Sequence, residues 1–375
     1  MKKKFILVAG ARPNFMKIAP LMHKLSGHST IEPVLVHTGQ HYDEKMSGLF
    51  FKQLNIPEPD VNLEVGSATH AIQTARIMEH FEKVCLNVKP DMVMVVGDVN
   101  STVACTLVPA KMGIKTAHYE AGLRSRDRSM PEEINRMATD AICDYFFTTS
   151  PDADENLVAE GKDPKTIFFV GNLMIDTLLA CFDRLPGIDL QLPVVNNGRI
   201  IDFKENYRPK EYGVITLHRP ANVDNIEILR NISDLIGQLS NRIPLIFPVH
   251  PRTLKNLQDF GLLEEVIRNE NLLLTKPAGY LEFIKLVNSS KFVLTDSGGI
   301  QEETTIMNVP CLTMRVSTER PITITDGTNT LVALEQVEQE VANVLAGKGK
   351  SGRKPQLWDG KTAERIVDVL PEIMN

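Results

Sequence analysis

Basic residues do not outnumber acidic ones in this chain of 375 residues: 41 Lys and Arg stand against 47 Asp and Glu, and the sequence pI is near 5.9. That balance argues against a nucleic-acid or anionic-membrane partner, either of which favours a basic surface. No run approaches the roughly 20 apolar residues of a membrane span. About seven apolar residues follow Met1-Lys2-Lys3-Lys4 before Arg12 intervenes, which is short for a signal-peptide core. A cytoplasmic protein is expected. The cysteines Cys85, Cys105, Cys143, Cys181 and Cys311 are scattered and lack CxxC spacing. They read as small buried hydrophobes in a reducing compartment, not as disulfides or a zinc site. HExxH is also absent, so no metal is expected. There is neither GxGxxG nor a Walker loop, which weakens nicotinamide binding and P-loop hydrolysis, and no GxSxG elbow frames a nucleophilic Ser.

What is present is a repeated punctuation. Six apolar runs end abruptly on residue types that carry chemistry: FILVAGAR at Arg12, MVMVVGD at Asp98, KTAHYE at Glu120, GVITLH at His218, PLIFPVH at His250 and FVLTDS at Asp296. Runs of Val, Ile and Leu with little alternation read as strands buried on both faces of a parallel sheet. In open parallel sheets, ligands bind beyond the carboxyl ends of the strands. Three endings fall in each half of the chain, which predicts two sheets facing one cleft.

Strand-like runs near 4–10, 32–38, 92–97, 114–119, 144–149 and 166–170 alternate with helical patterns near 13–26, 70–88, 101–112, 131–142 and 151–160. A second set follows, with strands near 212–217, 243–249, 271–275, 291–296 and 310–314 and helices near 223–241, 279–289, 299–307 and 334–346. This alternation predicts an α/β protein of two Rossmann-like, doubly wound domains. Residues 1–184 make the first domain and 211–355 the second. Residues 185–210 carry Pro, Gly and mixed charge without a sustained period and read as a linker. Residues 356–375 hold a terminal amphipathic helix.

The strand ends supply candidate chemistry. Gly10-Ala11-Arg12-Pro13 follows the first strand and opens a helix, a turn whose backbone N–H groups and dipole suit a phosphate, with Arg12 and Lys17 adding charge. An ordinary turn with a surface Arg is the alternative. Ser297-Gly298-Gly299 leads into a second helix and lets backbone amides approach a diphosphate, while Glu303 is suited to accept ribose hydroxyls. The alternative is a tight turn with Glu302 and Glu303 near the helix dipole. Arg315 and Arg320 flank Glu319 and can clamp a pyrophosphate or form a simple Arg–Glu pair.

Asp98 and Glu120, each just after a buried strand, and the pair Glu132-Glu133, where a helix begins, are the candidate proton-transfer groups, since partial burial at a sheet's functional edge tunes a carboxylate toward acid–base work. Asp98 reads alternatively as a helix N-cap, and Glu132 with Glu133 as first-turn dipole partners behind Pro131. Glu120 has no such duty. His218 and His250 occupy matching strand ends and read as phosphate donors, proton shuttles or satisfied structural residues. The sequence assigns neither the base nor the acid.

The segments GARPNFMK, TGQH (38–41), GDVNST, HYEAGLR, PEEINR, HR (218–219), FPVHP, TDSGGIQEE and RVSTERP run in one order over most of the chain. Together they resemble the non-hydrolysing UDP-N-acetylglucosamine 2-epimerases. The resemblance implies a fold like that of GT-B glycosyltransferases, two Rossmann-like domains with a cleft between them and a C-terminal helix packed back on the first. It implies interconversion of UDP-GlcNAc and UDP-ManNAc by anti elimination of UDP to 2-acetamidoglucal and re-addition, with no cofactor, in a homodimer. Asp98, Glu120, Glu132 and His218 match the family's catalytic positions. Arg12, His250, Ser297, Gly298, Gly299, Glu303, Arg315 and Arg320 match its nucleotide-binding positions. Gln40 and His41 match a segment through which a second UDP-GlcNAc activates many bacterial members. The chain departs from the family at His218-Arg219-Pro220-Ala221-Asn222, where HRREN is usual, and at His250-Pro251-Arg252-Thr253, where HPNP is usual. Epimerisation of a modified UDP-sugar such as a diacetamido-uronic acid, hydrolysis to free ManNAc, and glycosyl transfer stand as alternatives.

Overall fold

The computed structural model describes residues 2–39, 56–195 and 198–375. Gln40 and His41 lie outside the described residues. The chain forms two compact units, Met1–Ala180 with Pro355–Asn375, and Cys181–Lys354.

The first unit is built on β1 (Lys3–Ala9), β2 (Ile31–His37), β3 (Val61–Asn62), β4 (Met92–Val96), β5 (Lys115–Tyr119), β6 (Tyr145–Thr148) and β7 (Ile167–Phe169). They stand in the order β3-β2-β1-β4-β5-β6-β7, every pair parallel. All residues of β4 are buried, the signature of a strand covered on both faces. Ile6, Val8, Val93 and Val95 point to one side and join Ile77 and Phe81 of the helix His70–Val88 and Val108 of the helix Asn100–Lys111. On another side the terminal helix Thr362–Ile373 packs against the helix Arg12–Leu25. The returning chain is fixed by Trp358, whose Nε1 donates to the Thr149 carbonyl at 2.9 Å, and by Asp176, which accepts from the Thr362 and Ala363 N–H groups.

The second unit carries β10 (Gly213–Thr216), β11 (Leu245–Pro248), β12 (Leu272–Thr275), β13 (Phe292–Thr295), β14 (Cys311–Thr313) and β15 (Asn329–Leu331). These parallel strands stand in the order β12-β11-β10-β13-β14-β15. The doubly wound architecture expected from the strand and helix alternation is thus present twice. In each sheet the order reverses beside the first strand, between β1 and β4 and between β10 and β13. Such reversals open crevices at the carboxyl ends of the strands.

The linker expectation needs correction. Residues 185–210 contain a two-stranded antiparallel sheet, β8 (Gln191–Pro193) with β9 (Ile200–Asp202), and fall within the second unit. Leu190, Leu192 and Phe203 are buried with Tyr212 and Val214. These apolar residues are spaced too irregularly to show a period, yet they bury a strip of the second sheet's helical layer. Two-residue β3, short β15 and the helix Leu173–Phe182 also escaped the sequence pattern. Among the described residues no helix is long and apolar enough to cross a membrane.

Candidate active site

At the reversal of the first sheet, the connections after β1, β4 and β5 come together. Asn14 organises them: its Oδ1 accepts from the N–H groups of Gly10 (3.1 Å) and Ala11 (2.8 Å), and its Nδ2 donates to the Val96 carbonyl at 3.0 Å. The turn amides that the sequence offered to a phosphate are therefore engaged by Asn14. Arg12 opens the helix that follows. Lys17 also departs from its expected role. Its Nζ donates to Glu120 Oε2 at 2.7 Å, and both side chains are buried. Glu120 adopts a left-handed backbone with φ of 71°. A non-glycine residue held there costs about 1–3 kcal/mol and is a mark of functional sites. A Cβ placed on Gly97 would lie 3.6 Å from Glu120 Oε2 and 3.7 Å from Lys17 Nζ, so this ion pair abuts the Gly97-Asp98 turn.

Val99, not Asp98, caps the helix Asn100–Lys111, which removes the capping alternative. The Asp98 carboxylate is partly exposed and pairs with Arg136. The acidic pair at the start of the helix Pro131–Ile142 divides its duties. Glu133 is buried and accepts from the Ser125 N–H (2.9 Å) and hydroxyl (3.0 Å), the Arg126 N–H (2.9 Å) and Arg136 Nη1 (2.7 Å). Burial works to raise its pKa, but these donors and the Arg136 charge outweigh burial and hold it low. Glu132 remains half-exposed.

Behind this surface lies a polar network that the sequence did not reveal. His118 Nδ1 lies 2.6 Å from Asp140 Oδ1, and His118 Nε2 lies 2.8 Å from the Gly97 carbonyl. Asp140 Oδ2 accepts from the Gly122 N–H at 3.0 Å and from Arg124 Nη1 at 2.8 Å. Arg124 also forms a two-pronged pair with Glu160. Burial raises the Asp140 pKa, and the charges and hydrogen bonds of His118 and Arg124 more than reverse that. A signal was available: Glu133, Arg136 and Asp140 recur at i, i+3 and i+7, which places them on one helix face. That face is buried, while Ile134 and Met137 of the same helix are exposed.

At the reversal of the second sheet, Asp296 is the hub. It accepts from the N–H groups of His218 and Arg219 and from Asn222 Nδ2. His218 Nδ1 lies 2.9 Å from Asp296 Oδ1, with the His218 ring 40% exposed and Asp296 fully buried. Burial would raise the Asp296 pKa; His218, the Arg219 N–H and Asn222 together hold it down. The His218 and His250 rings stand 5.4 Å apart. His250 caps the helix Pro251–Asp259, its Nδ1 accepting from the Arg252 N–H at 3.2 Å, which leaves Nε2 as the donor. Its pKa is lowered by burial and then by His218 and Arg252. Within the two segments that depart from the family pattern, Asn222, which the pattern shares, contacts Asp296, and Arg252 pairs with Asp224.

Ser297 precedes the helix Gly298–Met307, whose first turn holds Gly298 and Gly299. A Cβ on Gly298 would lie 2.7 Å from Glu319 Oε1 and 3.0 Å from Arg320 Nη1, so glycine is needed there. Arg315 and Arg320 are not surface residues. Arg315 Nη2 donates to Glu319 at 2.7 Å, and Arg320 joins Glu319 to Glu302. Arg315 Nη1 is buried without a hydrogen-bond partner among the described residues. Glu303 is buried beside Tyr280 and Glu302, and its pKa is pushed up to about 8 by burial and then by the Glu302 charge. Among the described residues no group of His, Cys, Asp and Glu is arranged to hold a metal ion.

Residues 23–371 match the family model of UDP-N-acetylglucosamine 2-epimerase. The UDP-N-acetylglucosamine 2-epimerase of Methanocaldococcus jannaschii is 40% identical over 370 residues, 98% of each chain. The UDP-2,3-diacetamido-2,3-dideoxy-D-glucuronate 2-epimerase of Pseudomonas aeruginosa is 36% identical over 374 residues, 99% of this chain and all of that protein. A crystal structure of the M. jannaschii enzyme in complex with UDP-GlcNAc and UDP superposes with a TM-score of 0.88 at 40% identity, covering 98% of this chain and 99% of that one. With the family model spanning nearly its whole length, this chain belongs to the UDP-N-acetylglucosamine 2-epimerase family.

Proposed function

We propose that this chain interconverts UDP-GlcNAc and UDP-ManNAc in the cytoplasm, supplying a nucleotide sugar for polysaccharide synthesis. A base removes the C2 proton, the C1–O bond breaks, and its electrons leave with UDP, giving 2-acetamidoglucal. UDP then re-adds at C1 while a proton is delivered to the opposite face of C2. The observation that carries this reading is Glu120, a buried carboxylate in left-handed backbone, charge-balanced by Lys17 and next to the Gly97-Asp98 turn. Asp98, Glu120 and Glu132 serve proton transfer, and His218 assists departure and return of UDP. Ser297, Gly298 and Gly299 present the start of a helix to the diphosphate. Arg315, through Nη1, and Arg320, with Arg12 and His250, add donors, and Glu303 accepts the ribose hydroxyls. Positive groups around the diphosphate stabilise charge that grows as UDP leaves.

The P. aeruginosa relative favours a second reading, in which the sugar carries a second acetamido group and a carboxylate. Incubation with each nucleotide sugar in D2O, followed by NMR at C2, separates the two. Deuterium at C2 with UDP-ManNAc accumulating is expected from UDP-GlcNAc; exchange only in the diacetamido-uronate refutes that substrate assignment.

A homodimer is part of the proposal. The helix Pro131–Ile142 turns Glu133, Arg136 and Asp140 inward and exposes Met137 and Ile134, and Ile134 lines an open groove of about 570 Å³ with His70, Met78 and Val103. An exposed apolar face with this inverted pattern suits a second copy of the chain. Sedimentation of the Ile134→Asp variant as a smaller species than the parent is the expected result.

A further inference from the structure

We propose that His118 and Asp140 form a buried positioning pair that sets Asp98 and Glu120 in register with one another. The activity consequence rests on the epimerase reading above; the geometric part does not.

His118 lies on β5, two residues before Glu120, and neither its ring nor the Asp140 carboxylate has any surface exposure. The Gly97 carbonyl has no proton to give, so His118 Nε2, at 2.8 Å, is the donor there. On the far side of Asp140, Oδ2 already receives the Gly122 N–H and Arg124 Nη1. Two donors and a guanidinium charge hold Asp140 as a carboxylate, so His118 Nδ1, at 2.6 Å from Oδ1, donates as well. The ring therefore carries both N–H protons. Arg124 in turn pairs with Glu160, whose side chain is 36% exposed.

Its two arms end on the two catalytic turns. One arm runs from Asp140 through His118 to the Gly97 carbonyl, and Gly97 is followed by Asp98. The other runs from Asp140 to the Gly122 N–H, in the turn that carries Glu120. Gly97, Glu120 and Gly122 have φ of 73°, 71° and 75°, so both turns are held in left-handed backbone. Nothing at Gly122 can yield, because a Cβ there would lie 2.3 Å from the Ala153 carbonyl. A single carboxylate thus ties together two turns on neighbouring strands. Fully buried behind them, His118 and Asp140 act on the substrate only through Asp98 and Glu120.

The test combines two variants with one spectroscopic measurement. His118→Phe keeps the ring volume and removes both donors; Asp140→Asn keeps the shape and removes the charge. Folded variants are expected to lose about 10²-fold in kcat, the scale of a catalytic group displaced by about 1 Å, with KM for UDP-GlcNAc little changed. In the substrate-free parent labelled with 15N-histidine, both His118 ring nitrogens are expected to carry protons. Folded variants with parental kcat overturn the proposal, as does a His118 ring with one N–H. If neither variant folds, the ring spectrum of the parent decides. A parent protein inactive on UDP-GlcNAc would refute the substrate assignment instead, and the same spectrum would still decide this inference.

Discussion

Lys17 and Glu120 meet at 2.7 Å although 103 residues separate them, and the pair sits at the reversal of the first sheet. The sequence offered Lys17 to a phosphate; the fold gives it to a carboxylate. The reason is the shared crevice: Lys17 lies one turn into the helix after β1, and Glu120 follows β5, across β4.

Removing only the cation should be worse than removing both charges. Lys17→Met leaves a buried carboxylate short of its counter-charge and is expected to cost on the order of 3 kcal/mol of unfolding free energy. The double variant Lys17→Met with Glu120→Gln is expected to recover most of that stability. It should recover none of the activity, since Glu120→Gln alone is expected to lower C2 exchange by about 10²–10⁴-fold. Denaturant titration and deuterium wash-in on all three proteins check both statements; additive stability losses would refute the pairing argument.

Gly298→Ala tests the start of the second unit's helix. The added Cβ would meet Glu319 Oε1 at 2.7 Å, and Glu319 cannot swing aside cheaply because Arg315 and Arg320 both hold it. Overpacking of this kind costs about 1–3 kcal/mol. Calorimetry with UDP is expected to show weakened binding as well as the lower stability. Parental affinity would remove Gly298 from the nucleotide site.

Trp358→Phe probes the return of the chain to the first unit. Phe refills most of the volume but leaves the Thr149 carbonyl without its 2.9 Å donor, in a site with almost no exposure. A buried acceptor left unsatisfied costs about 1–3 kcal/mol. Thermal unfolding should fall accordingly, with kcat unchanged.

The strands were legible because apolar runs need no partner to be recognised. Lys3–Ala9, Met92–Val96 and Phe292–Thr295 were each anticipated to within about two residues by composition alone. The residues at their ends, Asp98, Glu120, His218 and Asp296, were visible for the same reason. What stayed hidden depends on pairing at a distance. Asp140 has meaning only beside His118 and Gly122, and Glu133 only beside Ser125 and Arg126. The local pattern around 131–142 even points the wrong way if apolar residues are assumed to face inward, since Ile134 and Met137 face out. β3 and the β8–β9 pair are too short to carry a period.

Glu303 ties stability to pH with a definite sign. Its pKa rises from an ordinary 4.5 to about 8 in the folded chain, first through burial and then through the Glu302 charge. Between those values the native state keeps a proton that the unfolded chain releases. Stability therefore falls as pH climbs from about 4.5 to 8, and the loss, on the order of a few kcal/mol, is complete above that window. Gln at this position cannot ionise. Glu303→Gln is expected to match the parent in thermal unfolding at pH 4 and to exceed it increasingly by pH 9. Binding of UDP should move the other way in the parent: a carboxylate that accepts ribose hydroxyls works best ionised, so affinity rises through pH 8 and the Gln variant loses that rise. A parental pH slope in the variant would assign the titration to Glu302 or another neighbour.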